Sequence, residues 1–146
     1  MSSAASSRSR REAGRLASLV FFIDRSLGGR VIAEALRASG AQVEVHDKHF
    51  ASDAPDVEWL AAVGKQGWVV LSKDARIRRD PFEREALRSA SVKAFFLTQQ
   101  GLTGEEMAQI FVAALPGMVT RASRQPGPFL YTLSRGGVFA PVKLKP

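Results

Sequence analysis

The chain has 146 residues, 45% of them hydrophobic and 24% charged, which suits one globular domain with a genuine core. It has no cysteine, so disulfides, thiolate metal sites and cysteine nucleophiles are excluded. The net charge of +7 is uneven: residues 1–15 carry four arginines against one glutamate, residues 121–146 carry five bases and no acid, and the stretch between is nearly neutral. Basic flanks of this kind neutralise phosphates or keep a protein soluble.

Residues 1–15 (MSSAASSRSRREAGR) have almost no large apolar side chain and read as a disordered basic tail. They lack the apolar run and cleavage site of a signal peptide, and no apolar run in the chain approaches the ~20 residues of a membrane span. We expect a cytoplasmic protein with no membrane contact. Leu19–Ile23 is a continuous apolar run, the mark of a strand buried on both faces, and it ends at Asp24. A helix follows over Arg30–Ser39, with Val31, Ala35 and Leu36 on one face and Gly40 as its stop. Ala41–His46 alternates and reads as a strand near the sheet edge.

Asp56, behind Pro55, opens a helix whose apolar stripe is Val57, Leu60, Ala61 and Trp59. Gly67 turns the chain into a second buried strand, Trp68–Ser72, and Asp74 follows two residues later. Residues 75–89 mix arginines with Asp80, Glu83 and Glu85, a pattern of i,i+4 pairing on a helix. Residues 92–97 form a third buried strand. Thr103 and Glu106 form a capping box for a helix that Pro116-Gly117 is expected to break. Arg135-Gly-Gly137 between two apolar runs predicts a hairpin packed outside the main sheet.

Strands alternating with helices predict an α/β fold in three layers with a mainly parallel sheet of order 2-1-3-4, the four strands being 19–24, 41–46, 68–72 and 92–97. Residues 16–123 form the domain on this reading, and 124–146 a basic C-terminal β-hairpin extension. Ligands of such sheets bind at the strands' carboxyl ends where the order reverses, here between the first and third strands. Asp24 and Asp74 leave those two strands, and Asp56 starts the helix beside them. Converging carboxylates without cysteine suit Mg²⁺ or Mn²⁺, which would activate a water and neutralise charge on a phosphodiester. Each acid taken alone is as readily a cap or turn former.

The succession Asp56, Trp59-Leu60-Ala61, Gly67, Trp68-Val-Val-Leu71, Ser72-Lys73-Asp74 resembles the second half of a PIN-domain active site. The first strand ending at Asp24 and the segment through His46 resemble the short, VapC-like branch of PIN-like proteins. The similarity spans roughly residues 19–115. It implies a metal-dependent endoribonuclease, commonly the toxin of a toxin–antitoxin pair, with Asp24, Asp56 and Asp74 as ligands of Mg²⁺ or Mn²⁺. It implies further an RNA substrate, an antitoxin partner and pairing into homodimers. Ser72 stands where threonine is commoner and keeps the hydroxyl. The family's further acid has no clear counterpart, and Glu58 and Asp53 rank first to supply it, ahead of Glu34 and Asp47.

Arg25, Lys73, Arg76 and Arg79 are the candidates for holding RNA phosphates, with charge balance as the plainer role. His46 and His49 read as surface residues rather than metal ligands, and Trp59 and Trp68 as core or subunit-interface residues. Two other functions fit parts of the pattern. A receiver-like phosphoacceptor domain shares the strand order and the acids, but Arg25 replaces the second carboxylate and no fifth parallel strand ending in lysine is expected. A degenerate PIN-like module would bind RNA or protein without cleaving.

Overall fold

The computed structural model describes residues 3–144. It is built of six strands, β1 Val20–Ile23, β2 Gln42–Val45, β3 Val69–Ser72, β4 Lys93–Leu97, β5 Phe129–Leu133 and β6 Phe139–Val142. The helices are α1 Ser3–Ser18, α2 Val31–Ala38, α3 Asp56–Gln66, α4 Ala75–Arg79, α5 Pro81–Ser89 and α6 Gly104–Arg124. The strands form one sheet of order β2-β1-β3-β4-β5-β6. The first five are parallel and β6 runs antiparallel to β5.

Side chains alternate across the sheet, so each strand feeds two cores. Phe21, Ile23, Val69, Leu71 and Phe95 face the layer containing α2 and α6. Phe22, Val70, Ala94 and Phe96 face Trp59, Leu60 and Val63 of α3 and Leu87 of α5. All nine of these strand residues are at most 1% exposed, as expected of parallel strands covered on both faces.

The expected order 2-1-3-4 is present, and β1 and β3 are hydrogen-bonded neighbours with Ile23 opposite Leu71. Four expectations need correction. The tail read as disordered is helical from Ser3 to Ser18, an alanine-containing stretch whose Leu16 packs on the core. Helix α6 runs through Pro116 to Arg124, because its apolar face continues past the proline in Met118, Val119 and Ala122, all buried. That burial outweighs the roughly 3 kcal/mol cost of an interior proline. The C-terminal hairpin is present, but it extends the sheet: β5 pairs with β4 over Phe129–Leu133. A fifth parallel strand therefore exists, and it leads into Leu133-Ser134-Arg135 with no lysine at its end. Finally, His46 is buried against Phe22, Phe50 and Trp59, whereas His49 is exposed and meets Glu44 at 2.6 Å.

Helices α3 and α5 pack side by side and run in the same direction. A methyl group on Gly64 would overlap the carbonyl oxygen of Ala90 and lie 2.6 Å from its Cβ, so α3 sits against the end of α5 without a side chain between. Their first turns, which carry Asp56 and Glu83, come together at the other end. That end is also where β1 and β3 finish.

Candidate active site

Asp24 follows the last residue of β1 and is 1% exposed. Its Oδ1 accepts the Ser26 backbone N–H at 2.9 Å and also the Ser26 hydroxyl, which makes it the cap of a 3-10 turn over Arg25–Leu27. Its Oδ2 accepts the Ser72 hydroxyl at 2.6 Å. Ser72, fully buried at the end of β3, has its Oγ 3.0 Å from the Asp74 N–H. Ser72 thus joins the two strand ends. Burial pushes the Asp24 carboxyl up to about 6 despite these hydrogen bonds, and the nearby Asp74 charge adds to the rise.

Asp74 caps α4 by accepting the Arg76 N–H at 2.9 Å, and the Arg76 guanidinium returns to it at 3.1 and 3.3 Å. This pair raises the Arg76 pKa. Asp56 lies at the first residue of α3 on the helix's buried face. That face is Asp56, Trp59, Leu60 and Val63; Val57 and Ala61, expected in the stripe, are exposed. The Asp56 Oδ1 accepts Trp59 Nε1 at 2.8 Å and Arg25 Nη2 at 2.9 Å. Arg25 also donates to the carbonyls of Ser52 and Ala54, each at 2.8 Å, so it clamps the loop leading into α3.

Glu83, in the first turn of α5, is the acid that the sequence reading passed over. Burial and a hydrogen bond shared with Asp56 push its carboxyl up to about 8, and the charges of Asp56, Asp80 and Asp74 add to the rise. Burial acts to raise the Asp56 carboxyl as well, but hydrogen bonds from Glu83 and Trp59 and the charges of Arg25 and Arg76 hold it low. The two carboxyls titrate as a coupled pair, the same contact raising Glu83 and lowering Asp56. Asp24, Asp74, Glu83 and Asp56 therefore form a chain in which each acid acts on the next. Asp53 and Glu58, the residues ranked first as a fourth acid, are both exposed.

A cleft of about 430 Å³ opens over the strand ends, lined by Ser26, Lys73, Asp74, Arg76, Arg79 and Thr98 among others. A second depression shares Arg76 and Arg79 with it and reaches Asp80 and Glu83. Of the four candidate phosphate-holding bases, Lys73, Arg76 and Arg79 line the cleft, and Arg25 is committed to its clamp. Of Arg78, Arg79, Arg84 and Arg88, expected to pair with Asp80, Glu83 and Glu85, only Arg88 does, on Glu85 at 2.6 Å. Asp80 instead caps α5.

Among the described residues no three histidine, aspartate or glutamate side chains are gathered tightly enough to hold one ion. The donors nevertheless fit a hard divalent cation in kind: all are carboxylates, and Asp24 and Glu83 have proton affinities raised by burial and by neighbouring carboxylates, which a cation would relieve.

Residues 19–99 match the family described as the PIN like domain. The chain is 33% identical over 116 residues, 77% of its own length and 83% of the other's, to a protein of Mycobacterium tuberculosis named "Putative ribonuclease VapC45". No solved structure matches significantly. With acids at the ends of β1 and β3 of a matching α/β sheet, the chain belongs to the PIN-like domain family, in its VapC-like branch.

Proposed function

We propose that this protein is an endoribonuclease of the toxin class, dependent on Mg²⁺ or Mn²⁺ and acting in the cytoplasm. The observation that carries the reading is the Asp24–Ser72–Asp74 linkage across the ends of two adjacent parallel strands, with Asp56 and Glu83 alongside. Asp24, Asp74 and Asp56 would hold the cation, and Glu83 replaces Asp53 and Glu58 as the fourth acid. A bound divalent ion supplies an activated water and neutralises charge developing on the phosphate.

The chain's own residues supply the frame. Ser72 and Ser26 fix both oxygens of Asp24, so it points one way without a counter-ion. Glu83 lines the depression beside the cleft with its proton affinity raised, while the buried Asp56 next to it is held low. Such a pair can accept one proton and hold another. Lys73, Arg76 and Arg79 offer cations to the flanking phosphates. The acids exert a repulsive field on RNA, and the net charge of +7 offsets it at long range. An antitoxin that caps the cleft and a second copy of the chain are the partners this reading implies.

The deciding experiment incubates purified protein with single-stranded and structured RNAs in Mg²⁺ or Mn²⁺. Cleavage should appear with metal, vanish in EDTA, and be lost in Asp24→Asn and Asp74→Asn proteins that remain folded. Mn²⁺ binding followed by electron paramagnetic resonance should weaken in both variants. Cutting that persists in excess EDTA would overturn the metal dependence. Induced expression should arrest growth, and the Asp74→Asn form should not.

A further inference from the structure

The exposed large apolar side chains among the described residues are three valines and one aromatic ring, Phe82, which is 82% exposed. Single exposed apolar residues are ordinary, but the position of this one is not incidental. Phe82 is the second residue of α5, between Asp80 and Glu83, and both of those line the depression that Arg76 and Arg79 also line. It precedes Glu83, which bonds to Asp56. Its backbone is rigid: Pro81 begins the helix, and Asp80 Oδ1 accepts the N–H groups of Phe82 at 2.8 Å and Glu83 at 3.2 Å. The ring is therefore mounted on a capped helix end, one residue before Glu83 and two after Asp80 in the chain.

Two arginines stand among these acids. Arg76 is exposed and bound to Asp74. Arg79 is exposed and, among the described residues, makes no ion pair, so its guanidinium is available to an anion. An exposed ring three residues along the chain from an arginine without an ion pair is a combination that suits unpaired nucleic acid: the ring stacks on a base and the cation meets a phosphate. Bases within a duplex have both faces covered and cannot stack in this way.

We propose that Phe82 is a stacking platform for a nucleobase next to the phosphate presented to the acids, and that Arg79 holds a neighbouring phosphate. Phe82 is a positioning residue, and phenyl stacking carries no hydrogen-bond code, so it tolerates several bases. This inference rests on the ribonuclease reading above.

The test uses full-length protein in EDTA and short unpaired RNAs carrying the fluorescent base 2-aminopurine at successive positions. Wild-type protein should quench the base at one position. Phe82→Ala should abolish that quenching and weaken binding about tenfold, with an unchanged melting temperature because the ring lies in solvent. Phe82→Trp should restore both. An abasic nucleotide at the quenched position should weaken binding to wild type and not to Phe82→Ala. Arg79→Ala should weaken binding and flatten its salt dependence while leaving the quenching at saturation. Equal quenching by wild type and Phe82→Ala, or no quenching at any position, would overturn the ring's role. So would a loss confined to a protein partner, with RNA binding intact. RNA that is bound and quenched but left uncut when Mn²⁺ is restored would overturn the cleavage reading and leave the ring's role standing.

Discussion

Asp24 costs the fold something that its neighbours only partly repay. Its carboxyl is raised from 3.8 to about 6, so the folded chain binds a proton there more tightly than the unfolded chain. The stability this contributes is complete below pH 3.8 and is lost as pH rises through 6. Across that window the loss is about 3 kcal/mol, from about two pKa units at 1.36 kcal/mol each. Asn in place of Asp24 keeps an acceptor for Ser26 and removes the buried charge. We therefore expect Asp24→Asn to be more stable than the metal-free wild type at pH 7.5 by up to about 3 kcal/mol, and inactive. The gap should close as pH falls from 6 to 4. Chemical denaturation of both proteins across that range checks it, and equal stability at pH 7.5 would contradict it.

The residue scale also shows what the sequence could and could not reveal. Asp24 and Asp74 were legible because a strand's end is a place, and the order of strands puts two such places side by side. Ser26 could have been found from the Asp-x-Ser spacing, which suits a local side-chain turn. Glu83 was hidden within a mixed-charge run, where intrahelical pairing was the simpler account. Asp80-Pro81 was the available signal, since a cap followed by proline starts a new helix and puts Glu83 in its first turn. His46 was misread because a histidine between Val45 and Asp47 looks polar in sequence, while in space it completes an aromatic cluster.

Between elements, the contact of α3 with α5 decides whether the site assembles. The two first turns each favour a negative group by their dipoles, and they meet only if the other ends touch at Gly64 and Ala90. Gly64→Ala would gain about 1 kcal/mol of helix propensity. Its methyl would collide with backbone that cannot move aside without shifting a helix, a cost of about 1–3 kcal/mol. The expected outcome is a net loss of stability, together with a loss of RNA cleavage out of proportion to it, because Asp56 and Glu83 separate. Melting and cleavage measured on the same preparation test both parts. Unchanged melting with full activity would show that the helices do not depend on this contact. That glycine was visible in the sequence only as a helix residue, because close approach is a property of two segments and not of one.

At the scale of the molecule, the boundary drawn at residue 124 runs through the sheet. Beyond it, β5 covers the edge of β4, and Phe129, Leu130 and Leu133 are buried. Phe95, Phe129, Tyr131 and Phe139 pack as one aromatic group, with Arg121 4.1 Å from the centre of the Phe139 ring. A change of composition suggested an appendage, but two short apolar runs joined by a turn suit the strands of a sheet edge equally well. A chain ending at Arg124 would bare the Lys93–Leu97 edge (KAFFL), a sticky surface. It should aggregate when expressed, whereas removal of residues 1–9 should leave a soluble protein. Size-exclusion chromatography of the two truncations distinguishes them, and a monomeric, cooperatively melting 1–124 fragment would refute the prediction.

The outermost strand ends the sheet by design. Pro141 sits in the middle of β6 opposite Tyr131, and proline brings no N–H to a ladder. On that flank another β-strand finds an incomplete row of donors, so neither a second copy nor an extended peptide gains a regular pairing there. Association by strand addition is then left to the opposite edge of the sheet, β2, and the β6 edge is the side that can be crowded without consequence.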